Sequence, residues 1–567
     1  MPQNPPNADS IPPVHNPHAH ERRSVAAAAF VFALGTFASR VLGLVRDMIT
    51  AKYFPIEVRD AYIVAFRLPN LFRRLLGEGA LSVSFIPVFV ELLTKPGADG
   101  SSTPDRETAR RLVGSMFTIL LSITIALTGL GILFMEDILR LLLSGEGYLS
   151  VPGKFELTVR LARIMFSFLI LITLYAYFMA ILNSLKRFAL TALAPCFFNI
   201  AMIAAAFISP NVAAPENVLA WSVLVGGFMQ MAILIPSIVK EGYLPRFSYV
   251  WKVDGAWRPV WKIKEVARVF KAILPSLFGM SILQLTTIVN LHFASHLQQG
   301  AHSYLYLADR ILELPLALFA VSVGSALLPT LSAQWARGDK EAMSSTLTHS
   351  MRLIAFVALP SAIGMFMLAQ PITEVLFLGR EFKYQDALAT SQVIQVYSFG
   401  LLVSAGVRIM VQGFYSVGNT WYPALVGAIS LLSHLVFAWA GTKAFGLRGL
   451  SGATVLSSFV NLAMLSVAYS RWLGNLHWLY LGKRMLRFAV CGAVLAVGCT
   501  VYEPIVSHFG SRFVTRSLAL FLSIALGGGL YMAVAAMMGL EEYRETTARV
   551  IERLARKFKF LSRFSKS

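Results

Sequence analysis

The chain has 567 residues, 56% of them hydrophobic and 14% charged, with a mean hydropathy of +0.63. Soluble domains carry about 25% charged residues, so one water-exposed domain is excluded and many transmembrane helices are expected. Continuous apolar runs of about 20 residues exclude a β-barrel, whose strands alternate over about 10. The net charge of +20 falls mainly in short loops between those runs, which argues against nucleic acid as a partner.

Residues 1–24 are rich in Pro, Asn and His and hold no apolar segment. They read as a disordered cytoplasmic tail, not a signal peptide, and His15, His18 and His20 read as solvated, not as a metal site. Fourteen apolar runs follow, at 25–53, 58–93, 109–136, 156–183, 188–209, 216–239, 266–297, 302–335, 343–370, 385–417, 421–442, 449–472, 482–504 and 514–539. The expected fold is an all-α polytopic membrane protein of about 14 transmembrane helices. Placing both termini in the cytoplasm puts most Lys and Arg on the inner side. The segment from Lys240 to Lys271 alone carries eight, together with Trp251, Trp257 and Trp261, and is expected on the inner membrane surface.

The sequence repeats weakly. DAYIVAFRLPN from 60 aligns with SYLYLADRILELP from 303, so Tyr62 falls on Tyr304 and Pro87 on Pro329, and ILNSLKRFALTALAP from 181 resembles GFYSVGNTWYPALV from 413. Two six-helix repeats in the same orientation are expected to form an N-lobe (25–240, helices 1–6) and a C-lobe (266–473, helices 7–12), with substrate held between them. A basic interfacial loop (241–265) joins them. Helices 13 and 14 (474–540) stand outside the repeat, and a basic amphipathic tail (541–567) is expected on the anionic inner leaflet. Cys196, Cys491 and Cys499 read as buried thiols.

Charges inside the runs mark the candidate site. At about 100° per residue, Asp60, Arg67, Arg74 and Glu78 share one narrow stripe of the second helix, with Asn70 and Arg73 beside it. Asp309, Arg310 and Glu313 cluster on the eighth helix, and Arg40, Arg46 and Asp47 on the first. An intramembrane charge costs about 2.5 kcal/mol or more, so such groups face a cavity or each other. Arg40, Arg46, Arg67, Arg73, Arg74 and Arg310 outnumber Asp47, Asp60, Glu78, Asp309 and Glu313. An arginine-lined cavity suits a phosphorylated anion, with the acids as gating or charge-pairing groups. Arg163, Arg352 and Arg408 lie near helix ends and are expected to snorkel. His292 and His434 read as packed residues, and Asn183, Asn199 and Asn419 as caps or interhelical bonds.

The motifs SRVLGLVRD (39–47), DAYIVAFRLPNLFRRLLGEGALSVSFIPVF (60–89), ADRILELP (308–315), NSLKRF and FYSVGNT resemble the MurJ (MviN) family of lipid II flippases. That family lies within the multidrug/oligosaccharidyl-lipid/polysaccharide exporter superfamily. The resemblance implies fourteen helices, two lobes, a central cationic cavity and a lipid-tail groove formed by the last two helices. The implied activity is flipping of lipid II, an undecaprenyl-pyrophosphate-linked disaccharide-pentapeptide, across the bacterial cytoplasmic (inner) membrane for peptidoglycan synthesis. Carried over by motif, the important charges are Arg40, Arg46, Asp60, Arg73, Asp309, Arg310 and Glu313, while Arg67 stands where that motif often has Lys. No cofactor or metal is expected. The expected partners are lipid II, anionic inner-leaflet lipids and cell-wall synthesis proteins, and the expected state is a monomer. The competing readings are a flippase for another polyprenyl-linked glycan, a drug or metabolite antiporter, and an intramembrane enzyme. A cation exporter would need an acid-dominated cavity, and no DxD, HExxH or Ser/His/Asp cluster supports an enzyme.

Overall fold

The computed structural model describes residues 17–75, 81–94, 105–253 and 255–557, and nearly all of these are helical. The first stretch contains α1 (Pro17–Tyr53), α2 (Ile56–Leu75), α3 (Leu81–Thr94), α4 (Arg106–Leu133), α5 (Met135–Leu142), α6 (Glu146–Leu149), α7 (Lys154–Phe166), α8 (Phe168–Ser184), α9 (Phe188–Ile208), α10 (Pro215–Ala232) and α11 (Ile235–Glu241). A hairpin of β1 (Val250–Val253) and β2 (Ala256–Pro259) follows, pairing Trp251 with Arg258 and Lys252 with Trp257. The second stretch contains α12 (Lys264–Ser295), α13 (Ala301–Ala336), α14 (Lys340–Met367), α15 (Ala369–Phe377), α16 (Tyr384–Ser416), α17 (Trp421–Trp472), α18 (Trp478–Cys499), α19 (Tyr502–Phe509), α20 (Phe513–Met537) and α21 (Glu541–Lys557).

Where they are described, the fourteen expected runs fall on helix, but nine segments among the described residues meet the length and apolarity of a membrane span. α2 is not one of them. Its 20 residues carry Arg59, Arg67, Arg73 and Arg74 beside Glu57 and Asp60. α1 begins at Pro17, inside the stretch expected to be a disordered tail. Proline is tolerated in a first helical turn, where its missing N–H would be unsatisfied in any case, and the run Ala26–Ala29 favours helix.

The internal repeat is visible in the elements. α4 and α14 are both 28 residues long, start 234 positions apart, and are each capped by an aspartate. Asp105 accepts from the Thr108 N–H at 2.9 Å and Asp339 from that of Ala342 at 2.8 Å, satisfying an orphan donor of the first turn. Short helices α5 and α15 follow at the same offset, after Phe134 and Leu368 in matching backbone conformations.

α17 is two helices. Gly446 takes φ 56°, ψ −127°, a region open almost only to glycine, and the chain doubles back there. Ser430 Oγ donates to the Ser457 carbonyl at 2.8 Å across the fold. Gly441 and Gly449 cross so closely that a Cβ on Gly449 would lie 1.8 Å from the Gly441 carbonyl oxygen.

Three hydrophobic cores result. The first joins α2–α11 with both ends of α12. The second spans α13–α17. The third packs α18 and α20 on α14 through Phe356, Phe488 and Tyr531. α1 lies along α9, where Gly35 meets Ala192, and its end reaches the second core at Ala51. Cys196, Cys491 and Cys499 are free and buried.

Candidate functional site: an arginine-lined cavity between two helix bundles

A cavity of about 590 Å³ lies between the first and second bundles, walled by α1, α2, α8, α9, α10, α13 and α16. Its charged lining is Arg40, Arg46, Arg73, Arg74, Arg310 and Arg408, against Glu313. Five of those arginines are on the sequence-derived list. Arg408, on α16, was expected to snorkel, but it faces the cavity. A position near the end of an apolar run does not reveal which side of the helix meets a bundle.

Asp47 joins the two bundles behind this wall. Its Oδ1 receives Arg46 Nη2 at 2.7 Å and Nε at 3.0 Å, and its Oδ2 receives Arg310 Nε at 3.1 Å. The Tyr306 hydroxyl accepts from Arg46 Nη2 at 3.1 Å and donates to Asp47 Oδ1 at 3.3 Å. Arg46 Nη1 donates to Asn199 Oδ1 at 3.1 Å, and Asn199 Nδ2 donates to the Ser39 carbonyl at 3.0 Å. Asn199 is thus an interhelical bond holding a guanidinium. Arg310 Nη1 also meets Glu313 Oε2 at 3.1 Å, and Arg74 Nη2 lies 3.8 Å from Glu313 Oε1. Arg73 Nε donates to Asn70 Oδ1 at 2.9 Å.

Arg67 and Asp309 stand apart from that cavity. They line a separate polar pocket of about 30 Å³ with His302, Asn290, Thr287 and Tyr397. The Tyr306 ring lies between the two spaces, with the Arg67 guanidinium 5.8 Å and that of Arg310 5.6 Å from its centroid. Glu78 lies outside the described residues.

Asp60 departs most from expectation. It sits on the same helical stripe as Arg67, but two turns away, and a shared face does not mean a shared depth. Its Oδ2 receives Lys154 Nζ at 2.9 Å and the Gly300 N–H at 2.8 Å. Its Oδ1 receives the Ser303 N–H at 2.9 Å and Oγ at 2.6 Å. The carboxylate therefore binds the start of α13, where free N–H groups favour an anion, and ties it to α2 and α7. Asp60 and Lys154 are almost wholly buried. The adjacent Arg59 reaches the second bundle, with Nη2 3.4 Å from Asp386 Oδ2 and its guanidinium 4.8 Å from the Phe382 ring centroid. Tyr304 donates to Asp386 Oδ1 at 2.6 Å, and Gln299 Nε2 to Glu57 Oε1 at 2.5 Å. The first turn of α2 is thus a second junction between the bundles. Sequence reasoning missed Lys154 and Arg59 because a lysine in a loop and an arginine near a helix end look solvated.

Arg352 does not snorkel. It is buried on α14 and bonded to Tyr480, with Glu541 at 2.8 Å, Glu542 at 2.9 Å and Glu545 at 3.4 Å. Arg484 meets Glu541 at 3.2 Å. The tail helix α21 therefore docks by an acidic first turn, which the basic count of the segment concealed. Burial raises the Glu541 carboxyl, but the Arg352 hydrogen bond and the Arg484 and Arg352 charges outweigh it and hold it below its ordinary value. His434 pairs with Asn290 at 2.9 Å, Asn183 accepts from Thr191 at 3.0 Å, and Asn419 caps Tyr422 N at 3.0 Å. Among the described residues no group of His, Cys, Asp and Glu forms a metal cluster.

The family model described as lipid II flippase MurJ matches residues 50–522. A probable lipid II flippase MurJ of Bdellovibrio bacteriovorus is 39% identical over 92% of this chain and 96% of its own length. One of Vibrio cholerae is 32% identical over 89% and 94%. Among solved structures, a lipid II flippase MurJ in an inward closed conformation superposes with a TM-score of 0.73 at 25% identity, covering 91% of this chain and all of that one. An inward-facing multidrug resistance MATE family transporter of the MOP superfamily shares the fold, with a TM-score of 0.63 at 14% identity over 79% of this chain and 95% of that one.

Proposed function

The chain belongs to the MurJ family of lipid II flippases, and on that premise we propose that it carries lipid II from the inner to the outer leaflet of the bacterial cytoplasmic membrane. Both termini are cytoplasmic in this reading. The cargo is moved unchanged, so the protein is a transporter and not an enzyme, and it acts as a monomer in contact with anionic inner-leaflet lipids.

The observation that carries this reading is the Asp47 carboxylate, shared by Arg46 of α1 and Arg310 of α13 at the back of a cavity whose lining holds six arginines. A pyrophosphate offers the same paired oxygens to the guanidinium forks. It can take Arg310 from Asp47 or Glu313 without leaving a bare buried charge, the costly alternative. Exchange of the bridging partner links cargo binding to the separation of α1 and α13, which is what alternating access requires. The Asp60 and Arg59 junction then serves as the outer closure. The polyprenyl tail stays in lipid beside α18 and α20, which present Leu486 and Val497 and Leu518 and Phe521 outward.

The test is depletion in cells, followed by assay of the lipid-linked precursors by leaflet. Lipid II should collect on the inner leaflet. Retention of a different polyprenyl-linked glycan, with lipid II still crossing, would overturn the assignment.

A further inference from the structure

One amide on the cavity wall, that of Gln230, has no partner among the described residues. Gln230, on α10, is 5% exposed, lines the cavity and makes no hydrogen bond with the described residues. Polar side chains of α2 and α9 on the same wall are committed. Asn70 holds Arg73, Asn199 holds Arg46, and Thr191 Oγ1 donates to Asn183 at 3.0 Å. Pro195 cannot donate to the Thr191 carbonyl one turn back, and the Tyr175 hydroxyl takes that oxygen at 3.3 Å. Gln230 keeps both a donor and an acceptor open to the cavity.

No structural role accounts for it. The last ten residues of its helix are otherwise apolar (VLVGGFMQMA), and an amide there is unfavourable without a partner. A polar group that breaks the local pattern without compensation points to function. Beside it stands an aromatic wall. Phe66, Phe168 and Phe198 line the same cavity with ring centroids 5.4 to 6.2 Å apart. Gly226, one turn before Gln230, lets α10 close onto Phe198, since a Cβ there would lie 3.0 Å from that ring.

We propose that Gln230 and this aromatic wall form the subsite for an amide-bearing sugar of the cargo headgroup, adjoining the arginines that hold its pyrophosphate. This rests on the flippase reading above. A primary amide presents N–H donors and a carbonyl acceptor in one plane, so it can give an N–H to the carbonyl oxygen of an acetamido group or accept from its N–H. A hydroxyl at the same ring position stops short of where the acetamido carbonyl oxygen would sit and offers no carbonyl there. The negative faces of aromatic rings suit the polarised C–H face of a pyranose. Gln230 is therefore a specificity-determining residue. The arginines recognise any pyrophosphate, and the amide distinguishes an acetamido sugar from a plain hexose.

The experiment uses the full-length protein in lipid nanodiscs with three water-soluble probes: inorganic pyrophosphate, glucose 1-diphosphate and 2-acetamido-2-deoxyglucose 1-diphosphate. Wild type should bind the acetamido probe about tenfold more tightly than the glucose probe, the effect of one or two hydrogen bonds. Gln230→Leu suits the apolar helix. It should erase that preference while leaving pyrophosphate affinity unchanged, and Gln230→Asn should restore part of it. An intact preference in Gln230→Leu would overturn the subsite with the flippase reading untouched. Failure of wild type to bind any of the three would overturn the pyrophosphate reading on which it rests.

Discussion

Asp47 and Arg310 lie 263 positions apart in sequence and 3.1 Å apart in space, and their contact crosses from α1 to α13. Arg46 holds the other oxygen of the same carboxylate. This pairing makes the cavity two-sided, since each bundle supplies a guanidinium and the acid between them sets their spacing.

Arg310→Ala and Arg46→Ala should reduce transport at least a hundredfold while the protein stays inserted at normal abundance. Lysine at either position should restore only a fraction, because a point charge lacks the guanidinium fork. Complementation of a depleted strain, with immunoblotting of membranes, checks both statements. Normal growth on the alanine variants would remove the clamp.

The Asp60–Lys154 pair is buried on both sides. Lys154→Ala leaves that buried carboxylate with its hydrogen bonds but without its counter-charge and should cost about 3 kcal/mol of stability or of bundle closure. The double variant Asp60→Asn with Lys154→Met should cost less than the two single changes summed. Thermal melting of the four proteins in one detergent gives the coupling directly, and additive losses would dissolve the pair.

At Gly446 the backbone itself is the constraint. Gly446→Ala should lose about 1–3 kcal/mol, because alanine rarely adopts that conformation. Gly528→Ala, with open space around its Cβ and inside a helix, should be neutral or slightly stabilising. Equal melting temperatures for the two variants would mean the hairpin in α17 is not held by its glycine.

The docking of α21 should depend on pH in one direction. Glu541 is held below its ordinary value by Arg352 and Arg484, so its contribution is complete above the usual carboxylate range and is lost as pH falls through the lowered value. Hydrogen exchange of residues 541–548, taken relative to the intrinsic rate at each pH, should be protected at neutral pH and less protected in acid. Glu542→Gln should speed it at neutral pH too. Protection that is higher in acid would reverse the sign and refute the docking.

Much of this was legible in the sequence because membrane helices state their two rules openly. Long apolar runs located the helices, and arginines inside them located the cavity. What failed was depth and partner choice. A stripe fixes the face of α2 but not its level, so Asp60 and Arg67 shared a face on paper while one binds the start of α13 and the other a small side pocket. Lys154 looked like loop solvent exposure, yet its partner lies 94 positions away. Arg408 and Arg352 occupied similar positions near helix ends, and only packing sent one to the cavity and the other to the tail. The hairpin at Gly446 was anticipated as a loop, and the structure makes it in a single glycine.

The most direct measurement is the leaflet exchange of a lipid-linked sugar pyrophosphate in vesicles reconstituted with wild type or Arg310→Gln, at matched protein content. Wild type should move the lipid between leaflets, and Arg310→Gln, isosteric enough to fold but uncharged, should leave it where it was loaded. Equal rates for the two proteins would contradict the role of the arginine cavity in carrying the headgroup.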